Sequence, residues 1–341
     1  MSEEHSPMSP LSPWLGRQLA RLQQHAGHAL LLQGPSGLGH YALSLALAQV
    51  WLCHRPKSDG TPMACGECPS CHSISVRTHP DLRVLMPETD MLALAWPLDE
   101  SAQKDIDDKK RKPSREIRVD AARDLITFTQ RTASGERGKV VLIYPADRMN
   151  GITANTLLKT LEEPSGDTRF ILATEAPHLL LPTIRSRCVS HALEAPSAQE
   201  AAQWLKSQGL SGPAADVLLR AAGGRPEEAL RMSELGWTPE RWLGLPMALR
   251  AGQTAPLQDL SGSELIEVLQ KVCHDQLSHR VGASPRFFEP AALAPHASLR
   301  ALSDWSVSLK HRARSADHAY QPGLMLEALV SQAQQALMAQ D

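Results

Sequence analysis

The spacing of apolar and polar residues changes along the chain. From Trp14 to about Gln24 the apolar positions recur at helical spacing. His28-Ala29-Leu30-Leu31-Leu32-Gln33 is a short unbroken apolar run, as in a buried strand, and it stops at Gly34-Pro35-Ser36-Gly37-Leu38-Gly39. A Leu/Ala-rich run from Tyr41 to Leu52 predicts a helix. Strand, glycine-rich turn and helix is how a parallel α/β domain opens. His79 to Leu85 reads as a turn and a second strand, and Lys139–Ile143 and Arg169–Thr174 as further strands. Between them, Asp120 caps a helix running to about Arg131, and Asn155–Glu163 forms one closed by Pro164. The alternation lasts to about residue 195 and predicts a parallel sheet with helices on both faces.

After Ser197 the strand-like runs stop and Ala/Leu/Gln/Glu helical patterns dominate. The expected organisation is a flexible tail at 1–13, interrupted by Pro7, Pro10 and Pro13, and an α/β domain at 14–195. A small helical unit at 196–237 and a longer all-helical region at 238–341 follow. Residues 87–116 break the alternation and read as a mobile surface insertion. Its run from Asp105 to Lys112 is either a solvated loop or a basic tip that touches DNA.

Composition narrows the function classes. Lys plus Arg number 35 and Asp plus Glu 37, a net charge of -2, so the chain is no polycation that coats nucleic acid by charge alone. The 42% hydrophobic and 21% charged fractions suit folded domains, and with only 4% aromatics the cores must be built from Leu, Ala, Val and Ile. No apolar run reaches the ~18 residues of a membrane span, and the acidic, then Pro/Ser-rich start carries no secretory signal. The expected compartment is the reducing cytoplasm. There, six cysteines in 341 residues are read as metal ligands or thiols before disulfides.

Gly34 to Tyr41 aligns with the phosphate loop G-x-x-x-x-G-K-[ST], in which backbone N–H groups wrap phosphates, the Lys adds charge and the hydroxyl helps hold Mg²⁺. Gly34, Gly37 and Gly39 are in place, but His40 stands for the Lys and Tyr41 for the Ser/Thr. A second defect follows the Val140–Ile143 strand: Tyr144 and Pro145 occupy the positions where an acidic pair would hold Mg²⁺. Asp147 lies farther on and is expected to cap a turn. The loop geometry is therefore expected to survive without productive ATP hydrolysis.

Cys53, Cys65, Cys68 and Cys71 form C-x11-C-x2-C-x2-C within a module at 53–71. Four thiolates can close a tetrahedral structural zinc site; an iron–sulfur cluster and free thiols are the alternatives. His54 and His72 each adjoin a cysteine, which favours the four sulfurs. Cys188 and Cys273 are isolated and expected to be ordinary buried thiols.

Asn155-Thr156-Leu157-Leu158-Lys159-Thr160-Leu161-Glu162-Glu163-Pro164, followed by Phe170-Ile171-Leu172-Ala173-Thr174, resembles the clamp-loader AAA+ ATPases of bacterial DNA polymerase III. Thr183-Ile184-Arg185-Ser186-Arg187-Cys188 resembles their Ser-Arg-Cys motif, and the four-cysteine insertion and disabled phosphate loop match a non-hydrolysing member. The motifs cover about residues 14–240; beyond them the likeness is one of general helical character. The resemblance implies an AAA+ α/β domain carrying zinc, a small helical lid and an all-α C-terminal collar. It also implies a hetero-pentameric ring with delta and tau/gamma subunits that places the sliding clamp on primer-template DNA, as part of the DNA-directed DNA polymerase (nucleotidyltransferase) holoenzyme. No membrane association is implied.

The same resemblance makes Arg187 an arginine finger for a neighbour's ATP, with Arg185 as support; the alternative is a local ion pair. Thr174 falls at the first sensor position. In the family's Gly-x-x-Arg-Asp-Ala-Leu-like lid motif, Gly224-Arg225-Pro226-Glu227 puts Glu227 where hydrolysing members have the sensor Arg, with Arg225 displaced by two residues. Two other classes remain at this point: an independent P-loop ATPase with an atypical loop, and a zinc-containing DNA-binding module.

Overall fold

The computed structural model describes residues 11–25, 27–57, 63–313 and 321–340. The chain divides into two compact units, with the boundary after Ala195. Most of the expected 1–13 tail lies outside the described residues; Pro13 opens the first helix, which buries Trp14, Leu15, Leu19 and Leu22.

The first unit is built on a sheet of five parallel strands. These are β1 (Ala29–Gln33), β2 (Leu82–Leu85), β3 (Lys139–Ile143), β4 (Thr168–Thr174) and β5 (Val189–Ala192), in spatial order β2-β3-β4-β1-β5. The three central strands are β3, β4 and β1. Leu30, Leu31, Val141, Leu142, Phe170 and Ile171 on them are at most 1% exposed, which explains their unbroken apolar runs. β1 lies between β4 and β5, and its C-terminal end opens directly into the glycine loop beside the end of β4. Ligands of open parallel sheets bind at these carboxyl ends. The edge strand β5 was not expected from the sequence. Val189-Ser190-His191-Ala192 is largely exposed and is defined by pairing with Leu30–Gln33, not by an apolar pattern.

The insertion at 87–116 contains two short helices, Glu88–Ala93 and Glu100–Asp107. Arg111 returns to grip Glu88 through both terminal nitrogens (2.5 and 2.8 Å), and the Ser114 N–H donates to the same carboxylate at 2.8 Å. Burial opposes ionisation of Glu88, but these donors and Arg118 hold its carboxyl below the ordinary carboxylate range. Lys110 pairs with Asp108 (2.9 Å) and Asp105 (3.8 Å). Two charges of the basic run are thus answered by carboxylates of the insertion itself, which weighs against a basic tip for DNA.

Among the described residues the second unit carries helices and no strand, from Ala198–Ser207 to Pro322–Met338. Most of its buried apolar residues form one cluster from Leu205 to Leu337, so segments 196–237 and 238–341 share packing. At its centre Trp242 stacks on Phe288 (4.7 Å between ring centroids, 6° between planes) and meets Trp237 edge-on. A capping box between Ser261 and Glu264 starts the helix Gly262–Arg280, the longest among the described residues.

Inside that helix Asp275 is fully buried and accepts from the backbone N–H groups of Arg286 (2.9 Å), Phe287 (2.6 Å) and Phe288 (2.8 Å). It pins the following loop back onto the helix. Asp275→Ala leaves these donors without their acceptor and is expected to cost about 3 kcal/mol or more in denaturant unfolding. A cost below about 1 kcal/mol would show that water or another acceptor replaces the carboxylate.

Candidate functional site

The glycine loop keeps the backbone course of a phosphate loop. Gly37 and Gly39 take φ of 74° and 82°, in the left-handed region that a Cβ disfavours. Gly39 then forms the N-terminal cap of the helix His40–Leu52, so the loop ends at a helix N-terminus, a place that suits anions.

The charges are missing, and the structure shows how. His40, in place of the lysine, is 2% exposed and points into the protein. Neither ring nitrogen completes a well-formed hydrogen bond, and Nδ1 lies 3.9 Å from the Glu175 carboxylate. Burial pushes the imidazole down to about 4; Asp147 and the Gly34 backbone pull the other way without reversing it. His40 is therefore neutral at pH 7 and offers no cation to a phosphate.

A folded-state value of about 4, below the ordinary 6.5, means the unfolded chain binds the proton first as pH falls. His40 thus contributes stability above pH 6.5, and that contribution is lost as pH falls from 6.5 toward 4. Between pH 7 and pH 5 the loss should be about 2 kcal/mol. His40→Gln should flatten the fall, measured by denaturant unfolding at the two pH values; an equally steep fall would assign it to other groups.

Tyr41 fills the space of the short hydroxyl. Its OH accepts from Trp96 Nε1 at 2.7 Å, and its ring lies 5.6 Å from that of Tyr144. Trp96 comes from the 87–116 insertion, so the insertion supplies a side chain to the rim of the loop. Burial raises the Tyr41 phenol, with the Trp96 bond and Arg77 opposing. Burial also raises that of Tyr144, and Glu175, Asp90 and Asp147 push it further. Both phenols stay neutral. Asp147, expected to cap a turn, instead accepts from Thr174 Oγ1 at 2.6 Å, while Thr174 Oγ1 accepts from the Ala176 N–H at 3.1 Å. Thr174 is thereby committed to the protein's own aspartate.

The four cysteines come together at the far end of the same helix. Cys53 follows Leu52, Cys65 and Cys68 come from the adjoining loop, and Cys71 from the helix Pro69–Ser75, which Cys68 caps. The sulfurs of Cys53–Cys65, Cys53–Cys68 and Cys65–Cys71 lie 3.6, 3.9 and 3.9 Å apart, and all four fit within 4.8 Å. Four sulfurs ~2.3 Å from a tetrahedral ion are spaced by roughly 3.8 Å. Backbone N–H groups of Cys65, Cys68 and Cys71 donate to the sulfurs of Cys53, Cys65 and Cys68 at 3.3–3.4 Å, as suits thiolates. Ser70 ties the knuckle down by donating to the Leu52 carbonyl at 2.7 Å and meeting His79 Nε2 at 2.9 Å. The cluster can hold a metal ion in a closed tetrathiolate shell with no open position. Cys188 and Cys273 stand apart; burial pushes their thiols up to about 11 and about 12, so both are inert at neutral pH.

Arg187 sits just before β5, after the short helix Pro182–Arg185. Its Nε and Nη2 donate to one oxygen of Glu162 at 3.1 and 2.9 Å, and Nη1 donates to the Thr183 carbonyl at 3.0 Å. Its side chain is 28% exposed and that of Glu162 58%. Arg185 is exposed. In the second unit Arg225 donates to the Ala222 carbonyl at 2.6 Å and faces Glu267, while Glu227 lies in the first turn of the helix Pro226–Glu234.

A parallel sheet with a glycine loop at the end of β1, and an aspartate–threonine pair across the ends of β3 and β4, defines a P-loop α/β protein. Its own loop carries no cation. The profile of the family described as "DNA polymerase III, delta subunit" matches residues 15–197. A Pseudomonas aeruginosa protein named DNA polymerase III subunit delta' is 41% identical over 239 residues, 69% of this chain and 65% of that protein. The Escherichia coli protein of the same name is 35% identical over 64% of this chain and 60% of its own length. The one from Yersinia pestis is 32% identical over 79% and 72%. The matched stretches thus span slightly less than two thirds of the first two relatives. The chain belongs to the DNA polymerase III delta' family, and its first unit is a parallel α/β domain with a cysteine module set behind the helix that follows the glycine loop. Among the described residues no helix is long and apolar enough to cross a membrane.

Proposed function

We propose that this chain is a non-hydrolysing clamp-loader subunit, silent in its own nucleotide site and active across a subunit boundary. The observation that carries the reading is the contrast between the two sites. The glycine loop leads into a buried, neutral His40 and into Tyr41, whose side chain is held by Trp96 and lies against Tyr144, whereas Arg187 is partly exposed and still has donors to offer. A guanidinium presented to a neighbour's ATP neutralises charge on the γ-phosphate as it transfers. Glu227 at the family's sensor-arginine position fits a site relieved of turnover.

The partners on this reading are delta and tau/gamma subunits in a hetero-pentameric ring. Segments 196–237 and 238–341 act as lid and collar, and the ring places the sliding clamp on primer-template DNA in the cytoplasm. The cysteine module holds one structural zinc: four sulfurs and a closed shell are the chemistry of a structural ion, not a catalytic one. The test is reconstitution from separate subunits. The clamp should be loaded onto primed DNA when this chain is included and not when it is omitted. Equal loading without it would remove the reading.

A further inference from the structure

We infer that Glu162 is a positioning residue that presents the Arg187 guanidinium outward. The inference rests on the proposed trans role of Arg187. A guanidinium has five N–H donors in a fixed plane. Three of Arg187's are taken from within the chain: Nε and one Nη2 hydrogen by Glu162, and one Nη1 hydrogen by the Thr183 carbonyl. One hydrogen remains on each terminal nitrogen for an oxygen approaching from outside.

Both anchors are themselves fixed. Glu162 is the last residue of the helix Gly151–Glu162, whose Leu157 and Leu161 are fully buried. Thr183 lies in the helix Pro182–Arg185, where Ile184 is fully buried. The flexible arginine side chain is thus gripped by two packed elements of the same unit. An exposed ion pair of this kind adds little to stability, so its main effect is on where the guanidinium points. A positively charged group held in place before reaction loses less freedom when the transferring phosphoryl group arrives, and that saving appears in kcat, not in substrate binding.

The experiment is a double-mutant cycle on the assembled complex, with ATP turnover measured in the presence of clamp and primed DNA. Glu162→Ala should lower kcat by about threefold, as a misaimed group does, with KM for ATP and subunit assembly unchanged. Glu162→Gln, which still accepts through its amide oxygen, should fall between it and the unmodified protein. In the Arg187→Ala background, Glu162→Ala should have no further effect. Should Glu162→Ala impair assembly, Glu162→Gln, of the same shape, decides by its kcat alone. Wild-type or faster turnover in the Glu162 variants, or losses that multiply with that of Arg187→Ala, would overturn the positioning role and leave the arginine reading intact. Unchanged turnover with Arg187→Ala alone would overturn the arginine reading itself.

Discussion

Replacing Cys71 with serine should strip the metal from the protein and lower its unfolding midpoint sharply. Cys53, Cys68 and Cys71 are at most 1% exposed, and with Cys65 their sulfurs crowd within 4.8 Å. Among the described residues the module's own buried cluster is the cysteines with Ala64 against them, tied to the domain by Ser70, which bonds the Leu52 carbonyl and His79, and by Arg137, which donates to the His54 carbonyl. Metal binding to such a cluster is folding free energy, ~10–16 kcal/mol in isolated zinc fingers. In a domain with its own core the loss is smaller, about 3 kcal/mol or more. Elemental analysis should find about one zinc per chain in the unmodified protein and close to none in Cys71→Ser, and a chelator should reproduce the lowered midpoint. Charge-transfer absorption in the visible range would identify an iron–sulfur cluster and sink the zinc assignment.

Arg187→Ala should lower the DNA-stimulated ATP turnover of the assembled complex by about tenfold. A finger that serves a lone site is worth ~10³–10⁵ in kcat, and other subunit boundaries of a ring keep their own contributions. The change should leave folding untouched, because the Arg187–Glu162 pair is exposed at 28% and 58%. Arg187→Lys should recover little: an ammonium is a point charge and cannot occupy Glu162, Thr183 and a phosphate oxygen with one planar fork. Undiminished turnover in the Arg187→Ala complex would leave Arg187 as a local ion pair.

How much of this was legible in the sequence depended on whether the signal was local. The strand from Ala29, the glycine loop and the helix to Leu52 show as an apolar run, a turn and a second run, and the structure repeats them nearly residue for residue. The thiolate cluster was legible from spacing, since three of its ligands lie within seven residues. What was missed is made by partners far apart in the chain. Trp96 reaches Tyr41 across 55 positions, and Thr174 reaches Asp147 across 27. Glu88 and Arg111, 23 apart, tie together a stretch that reads as a loop because its charged run from Asp105 to Lys112 breaks the alternation of strands and helices. Strand β5 has no apolar alternation and exists because β1 offers it a backbone edge. Glu162 belongs to the helix-ending motif that carries the family resemblance, but its hold on Arg187 appears only once the two elements are packed.

The proposed division of roles, silent in its own site and active across a boundary, is decided by ATP turnover measured side by side. The samples are the isolated chain, the partner subunits without it, and the reconstituted complex on primed DNA. The isolated chain should show background turnover, and the complex a rate well above that of the partners alone. Robust turnover by the isolated chain, or a complex no faster than its partners without it, would rule out this division of roles.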